Sequence, residues 1–320
     1  MNVFELCAGA GGQALGLEQA GFAAQGLIEI DATACATLRH NRPIWNVITG
    51  DIKAFSARQY YGIDLVAGGV PCPPFSVAGK QLGANDERDL FPEALRIIDE
   101  CRPKAVMLEN VPGFLGPMFA EYRNRLSDQL RLLGYVTGFK LLQASDYGVS
   151  QLRPRVIIVA LQSDLTEHFA WPQTVEAAPI TVGQLLYDLM ASNQWADVHS
   201  WKLQANRIAP TIVGGSKKHG GPDLGPTRAK KAWAHLAVDG HGVANQAPLP
   251  DFIGMPRLTN RMVARLQGFP DSWHFVGSKT AIYRQIGNAF PPPVAYAVAS
   301  QIKRCLQAQK HHFLATEVFS

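Results

Sequence analysis

Cys72 stands in the run Gly68-Gly69-Val70-Pro71-Cys72-Pro73-Pro74-Phe75-Ser76, directly behind a short apolar segment, Ile63 to Ala67. That segment predicts a strand, and the glycine pair and prolines must end it in a rigid loop that presents a single thiol. A free thiol with a pKa of about 8.5 is roughly 3% thiolate at neutral pH, and that fraction is strongly nucleophilic. A carboxylate arrives at the same edge: Ala105 to Leu108 reads as a strand and runs straight into Glu109-Asn110-Val111-Pro112. In Gln151-Leu152-Arg153-Pro154-Arg155 two guanidinium groups stand at i and i+2 on one face of an extended segment, suited to a phosphate or a base oxygen.

These groups need elements to hold them. Val3 to Leu6 reads as a strand that feeds Cys7-Ala8-Gly9-Ala10-Gly11-Gly12, followed by an apolar-periodic helix from Gln13 to Ala20. Glycines let the backbone approach a ligand there, and the helix start offers unpaired N–H groups. The spacing is not G-x-G-x-x-G, which argues against a nicotinamide dehydrogenase. A second strand, Gly26 to Asp31, ends in acids, of which Glu29 is placed to hold ribose hydroxyls. A third, near Trp45 to Ile48, ends at Gly50-Asp51-Ile52, where Asp51 can accept from an adenine amino group. Three successive strand ends carrying Gly, Glu and Asp outline an adenosyl pocket. The polar segment from Ser76 to Asp89 holds Gly79, Lys80 and Gly83, has Arg88 at its far end, and reads as a lid. Helices over 91–101 and 119–133 and strands over 138–142 and 156–161 continue an alternating βα pattern, the signature of an α/β fold.

The chain has 320 residues, 47% hydrophobic and 18% charged, with a mean hydropathy of −0.02, which is the composition of a soluble globular enzyme of one large and one small domain. No apolar run is long enough to span a membrane, and the N-terminus enters a strand without a basic leader, so a cytoplasmic protein is expected. The five cysteines are scattered without a C-x-x-C pair, so neither a disulfide framework nor a metal site is expected. A zinc-dependent nucleobase deaminase, which needs H-x-E and P-C-x-x-C, is excluded on the same ground. Composition shifts after Trp171-Pro172 toward Gly, Pro, His and basic residues with little helical periodicity, apart from helices near 182–190 and 260–266. Between Ser200 and His235, Lys202, Arg207, Lys217, Lys218, Arg228, Lys230 and Lys231 face one acid, Asp223. That stretch carries +6 in a chain whose net charge is +4, as a phosphate backbone would attract. Tyr283 to Pro291 then leads into an apolar helix from Val294 to Leu306.

Taken together and in this order, these blocks resemble the DNA (cytosine-5)-methyltransferases over nearly the whole chain. Phe4 to Gly12 is similar to the family's first cofactor block, Glu29 and Gly50-Asp51-Ile52 to its ribose- and adenine-binding acids, and Pro71-Cys72 to its nucleophile. Glu109-Asn110-Val111 is similar to its glutamate block, Gln151, Arg153 and Arg155 to its Q-x-R-x-R block, and Arg257 to Pro270 and Gly287-Asn288 onward to its last two. The resemblance implies a Rossmann-like S-adenosylmethionine-dependent sheet, residues 1–188 completed by 281–320, with a smaller target-recognition domain at 189–280. It implies S-adenosylmethionine held by Cys7, Ala8, Gly9, Gly11, Gly12, Glu29, Ile30, Asp51, Ile52, Pro71, Asn288 and Ala289. It also implies duplex DNA contacted through Ser76, Lys80, Arg88, Thr211, Lys217, Lys218, Arg228, Lys230 and Lys231. Two departures stand out: Pro73 where Gln usually follows the nucleophile, and Cys7 where an aromatic usually lines the adenosine site.

The implied chemistry follows from what cytosine resists. Its C5 is a poor nucleophile, so Cys72 adds to C6, Glu109 serves N3 from a buried apolar setting, Arg153 holds O2 with Arg155 beside it, and C5 then takes the methyl group. The base must leave the duplex for this, at a cost of a few kcal/mol. The expected protein is a bacterial, nucleoid-associated monomer, with a restriction endonuclease acting on the same site as a candidate partner. Methylation of transfer RNA, or a DNA-binding homologue that has lost the reaction, are the other readings the blocks admit.

Overall fold

The computed structural model describes residues 1–72, 89–215 and 221–317, with side chains to 309. Seven strands form one sheet: β1 (Asn2–Leu6), β2 (Ala23–Glu29), β3 (Val47–Thr49), β4 (Leu65–Gly68), β5 (Ala105–Asn110), β6 (Tyr135–Gln143) and β7 (Pro154–Gln162), in the order β3-β2-β1-β4-β5-β7-β6. The first five are parallel, and β7 runs antiparallel between β5 and β6. The strict βα alternation expected from sequence therefore stops at β6. Only Ala144 to Arg153 joins β6 to β7, too few residues for the crossover of a dozen or more that a parallel pair requires.

Strand order reverses between β1 and β4, so a crevice opens outside the carboxyl ends of the strands, where open α/β sheets bind ligands. Cys7, Glu29, Asp51, Cys72 and Glu109 all stand at or just beyond those ends. β1, β4 and β5 are almost wholly buried, as strands covered on both faces must be. Helices α1 (Gly12–Gln19) and α10 (Pro292–Glu317) cover one face, while α3 (Phe91–Cys101) and α4 (Ala120–Leu132) cover the other. Gly16 lets α1 approach α10 closely, since a Cβ there would lie 2.5 Å from the Pro292 carbonyl oxygen.

Helix α2 (Ala32–Asn41), absent from the elements expected on sequence, is capped by the Asp31 side chain accepting from Thr33 N. A third core joins Leu15, Leu27 and Leu38 to four buried tryptophans, Trp195, Trp201, Trp233 and Trp273. They come from the second half of the chain, which contributes α5 (Val182–Met190), α6 (Val198–Gln204), α7 (Thr227–Ala234), α8 (Asn260–Leu266) and α9 (Lys279–Asn288). The basic stretch is thus more helical than its composition suggests: α7 buries Trp233 and leaves Arg228 and Lys231 exposed. Among the described residues no helix is long and apolar enough to cross a membrane.

Candidate active site

The thiol comes first in the geometry. Gly68 ends β4 hard against β1, where a Cβ would meet the Leu6 carbonyl oxygen at 2.6 Å. The chain then turns through Val70 and Pro71 to Cys72, and Leu90 N returns to donate to the Pro71 carbonyl at 3.1 Å. Cys72 Sγ lies 3.0 Å from Asn110 Oδ1. That amide cannot be turned round, because Asn110 Nδ2 donates to the Val70 carbonyl at 3.1 Å while Oδ1 accepts from Val111 N at 2.8 Å. The thiol therefore faces an acceptor. Burial pushes it up to about 11, and the Asp89 and Glu109 carboxylates add to that. At neutral pH roughly one molecule in ten thousand then holds the thiolate, well below the roughly 3% expected of a free cysteine.

Glu109 is joined to Arg155, whose Nε stands 2.7 Å from Glu109 Oε1, with both side chains largely buried. The glutamate is thus ion-paired, not set in the apolar surroundings expected of it. Its Oε2 would lie 3.3 Å from a Cβ at Gly69, so it stands close over the loop that leads to Cys72.

Beside this pair opens a cavity of about 590 Å³, within the range of roughly 300–1,000 Å³ typical of small-molecule sites. Cys7, Gly9 and Gly12 border it from the turn after β1, Glu29 and Asp51 from the ends of β2 and β3, Pro71 and Glu109 from the thiol side. Glu29 fixes the turn, its Oε2 accepting from Gly9 N and its Oε1 from Asp31 N, each at 2.8 Å. Ala8, Ile30, Ile52, Asn288 and Ala289 also line it, with Ile30 exposed at the rim. Cys7 takes a left-handed backbone, φ 51°, and burial with the nearby acids pushes its thiol up to about 12. It lines the cavity as an inert apolar group.

A family model of the C-5 cytosine-specific DNA methylases matches residues 1–304. The chain belongs to that family. It is 57% identical over 308 residues to the type II methyltransferase M.NgoMIV of Neisseria gonorrhoeae, covering 95% of this chain and 98% of the relative. It is 55% identical to M.NaeI of Lentzea aerocolonigenes, covering 97% and 76%. The fold matches that of S. pombe Dnmt2 methyltransferase with a TM-score of 0.64 at 19% identity, over 96% of this chain and 99% of that one. The protein is a DNA (cytosine-5)-methyltransferase.

This methylase departs from the sequence-based expectation at several residues. Arg153, expected to hold the base O2, is 1% exposed and spends its guanidinium on three backbone carbonyls, those of Ile212 (2.7 Å), Gly287 (2.8 Å) and Ala289 (3.1 Å). Burial and the Arg155 charge hold it well below the usual arginine range. It is a structural tie, and Arg155 is the arginine at the carboxylate. Gly11, expected at the cofactor, lies outside the cavity lining. Its φ of 88° and the 2.7 Å approach a Cβ would make to Leu38 and Trp273 explain the glycine by packing. Thr211, expected to touch DNA, donates its hydroxyl to the Leu152 carbonyl, stitching this segment to the Gln151–Arg155 run. Lys230 is paired with Asp223 at 2.9 Å, whereas Arg228 and Lys231 are exposed on α7. Ser76, Lys80, Arg88, Lys217 and Lys218, with the Pro73 departure, lie outside the described residues.

Two groups in the cavity are not among the sequence-based candidates. Glu5, in β1, is 2% exposed, and among the described residues its Oε2 has no hydrogen-bond partner. Burial and the neighbouring Glu29 raise its pKa well above the carboxylate range. A charged residue inside Val3-Phe4-Glu5-Leu6 was the available signal. An orphaned buried carboxylate suits a ligand bearing positive charge, and S-adenosylmethionine, the methyl donor of this class of enzyme, carries a sulfonium and an ammonium group. Arg284, on α9, is the second.

Proposed function

We propose that this methylase transfers the methyl group of S-adenosylmethionine to C5 of a cytosine swung out of duplex DNA, through a covalent bond between Cys72 and C6. What carries the reading is the arrangement at the crevice: the Cys72 thiol and the Glu109–Arg155 pair stand at adjacent strand ends, beside a cavity that Pro71 and Glu109 border. The bound cofactor supplies an electrophilic methyl group.

Cys72 passes its proton to a water molecule as its sulfur adds to C6. The electron pair of the 5,6 double bond shifts toward C5 and, through the ring, toward N3. Glu109 brings a proton to N3 and takes it back at the end of the cycle, and Arg155, which fixes Glu109, rather than Arg153 stands beside O2. Once C5 has taken the methyl group, with S-adenosylhomocysteine as the leaving group, loss of the C5 proton to water restores the double bond and expels the Cys72 sulfur. Glu29 and Asp51 hold the adenosyl end, Gly9 and Gly12 let the backbone approach it, and Asn288 and Ala289 close the cavity from α9. Glu5 balances the positive charge inside. Residues 1–188 with 281–320 form the catalytic part and 189–280 the target-recognition part, whose exposed Arg228 and Lys231 meet phosphates.

Two close relatives are type II methyltransferases, which favours protection of a specific DNA site against a matching endonuclease. DNA carrying 5-fluorocytosine at the target tests the reaction, since fluorine at C5 cannot leave as a proton does. A covalent adduct at Cys72 that depends on S-adenosylmethionine is the expected result, and its absence, with methylation of ordinary DNA intact, would end the covalent mechanism.

A further inference from the structure

Helix α9 faces the cavity with Ala281, Arg284, Gln285 and Asn288, a stripe at i, i+3, i+4 and i+7, while Tyr283, Ile286 and Gly287 are buried on its other side. Two of the polar members of that stripe are occupied. Gln285 accepts from the Thr37 hydroxyl at 2.7 Å and donates to the Val276 carbonyl at 2.8 Å, and Asn288 donates to the Gly215 carbonyl at 3.2 Å. Arg284 differs: among the described residues its guanidinium forms no hydrogen bond or ion pair.

Its surroundings sharpen the contrast. The other charged residues around the cavity are all acids, Glu5, Glu29, Asp31, Asp51 and Glu109, so Arg284 is the one cation among the described lining residues. A cavity built this way has places for hydroxyls, an amino group and positive charge, and a single cationic side chain to meet an anion. On the reading above, S-adenosylmethionine brings one anionic group, the carboxylate of its amino-acid arm. Arg284 stands one helical turn before Asn288, whose neighbour Ala289 packs within 3.2 Å of the position a Cβ would take at Gly12 in the turn after β1.

We infer that Arg284 is a cofactor-positioning residue that receives the carboxylate of S-adenosylmethionine, so that the chain anchors the amino-acid arm with a side-chain cation. The inference rests on the cofactor reading. Calorimetric titration separates the two, using the full chain with S-adenosylmethionine, S-adenosylhomocysteine and decarboxylated S-adenosylmethionine, which lacks only the anion. Arg284→Ala is expected to weaken the first two ligands about tenfold or more, the scale of a charge-assisted hydrogen bond, and to leave the decarboxylated one unchanged. Arg284→Lys should recover part of the loss. Equal weakening of all three ligands would overturn the inference, because it would mean that Arg284 only packs the cavity. So would unchanged cofactor binding by Arg284→Ala and Arg284→Gln together with a shallower salt dependence of DNA binding, which would make the residue a phosphate contact. Failure of the unaltered protein to bind S-adenosylmethionine would instead remove the cofactor reading itself, before any variant is compared.

Discussion

A thiol pushed up to about 11 is chemically quiet: burial disfavours its charged form first, and the Asp89 and Glu109 carboxylates add to the rise. The sign is that of an acid whose charged form is disfavoured by the fold, so the thiol stays protonated through neutral pH and ionises only as pH climbs toward its raised value. Alkylation of Cys72 in the free enzyme, followed by mass spectrometry of its peptide, should therefore rise about tenfold per pH unit past pH 9 and level off near 11. A plateau between about 8 and 9 would show a thiol no different from a free one. Cys72→Ser is expected to abolish methyl transfer while cofactor binding persists, because an alcohol is a far weaker nucleophile toward C6. Glu5 makes a complementary case. Its pKa is raised in the free protein, and a bound cation favours the ionised carboxylate, so binding of S-adenosylmethionine should release protons at pH values above the ordinary carboxylate range. Titrations in buffers of different ionisation enthalpy measure that release, and heats independent of the buffer would show that Glu5 does not meet the cation.

The elements were legible where periodicity and punctuation agree. Phe91–Cys101, Val182–Met190 and Asn260–Leu266 fall where the sequence puts them, because an apolar stripe lies between clear start and stop residues. The placing of Cys72 and Glu109 was legible for a related reason: each lies at or just beyond the end of an apolar strand, and strand ends converge on one edge. Arg153 and Arg155 were not separable, since a two-residue spacing assigns both to one face and says nothing of the carbonyls that later elements bring to Arg153. Helix α7 was hidden by its lysines, and α2 by a cap, Asp31, that reads equally well as a ligand-binding acid. At this scale two substitutions are informative. Arg153→Met should cost about 2–4 kcal/mol in urea unfolding, because it orphans buried carbonyls at Ile212, Gly287 and Ala289. Gly12→Ala sets a methyl group 2.2 Å from the Phe290 carbonyl oxygen, so α1 and the segment before α10 must part, at a cost of about 1–3 kcal/mol.

For the whole molecule, one sheet edge gathers the chemistry and the second half of the chain carries the exposed cations Arg228 and Lys231 on α7. Replacing Arg228 and Lys231 together by alanine should reduce the salt slope of DNA binding by about 2, roughly 0.9 for each phosphate no longer neutralised, without altering cofactor affinity. An unchanged slope would move the DNA surface off α7. The cavity is bordered by residues from both ends of the sequence, the turn after β1 on one side and Ala281 to Phe290 on the other. On the ribosome, the first strand and its glycine turn emerge long before the wall that completes their pocket exists. A transcript cut short upstream of α9 would consequently yield no partly competent enzyme, and the cell gains methylating capacity only once each polypeptide has been made through α9.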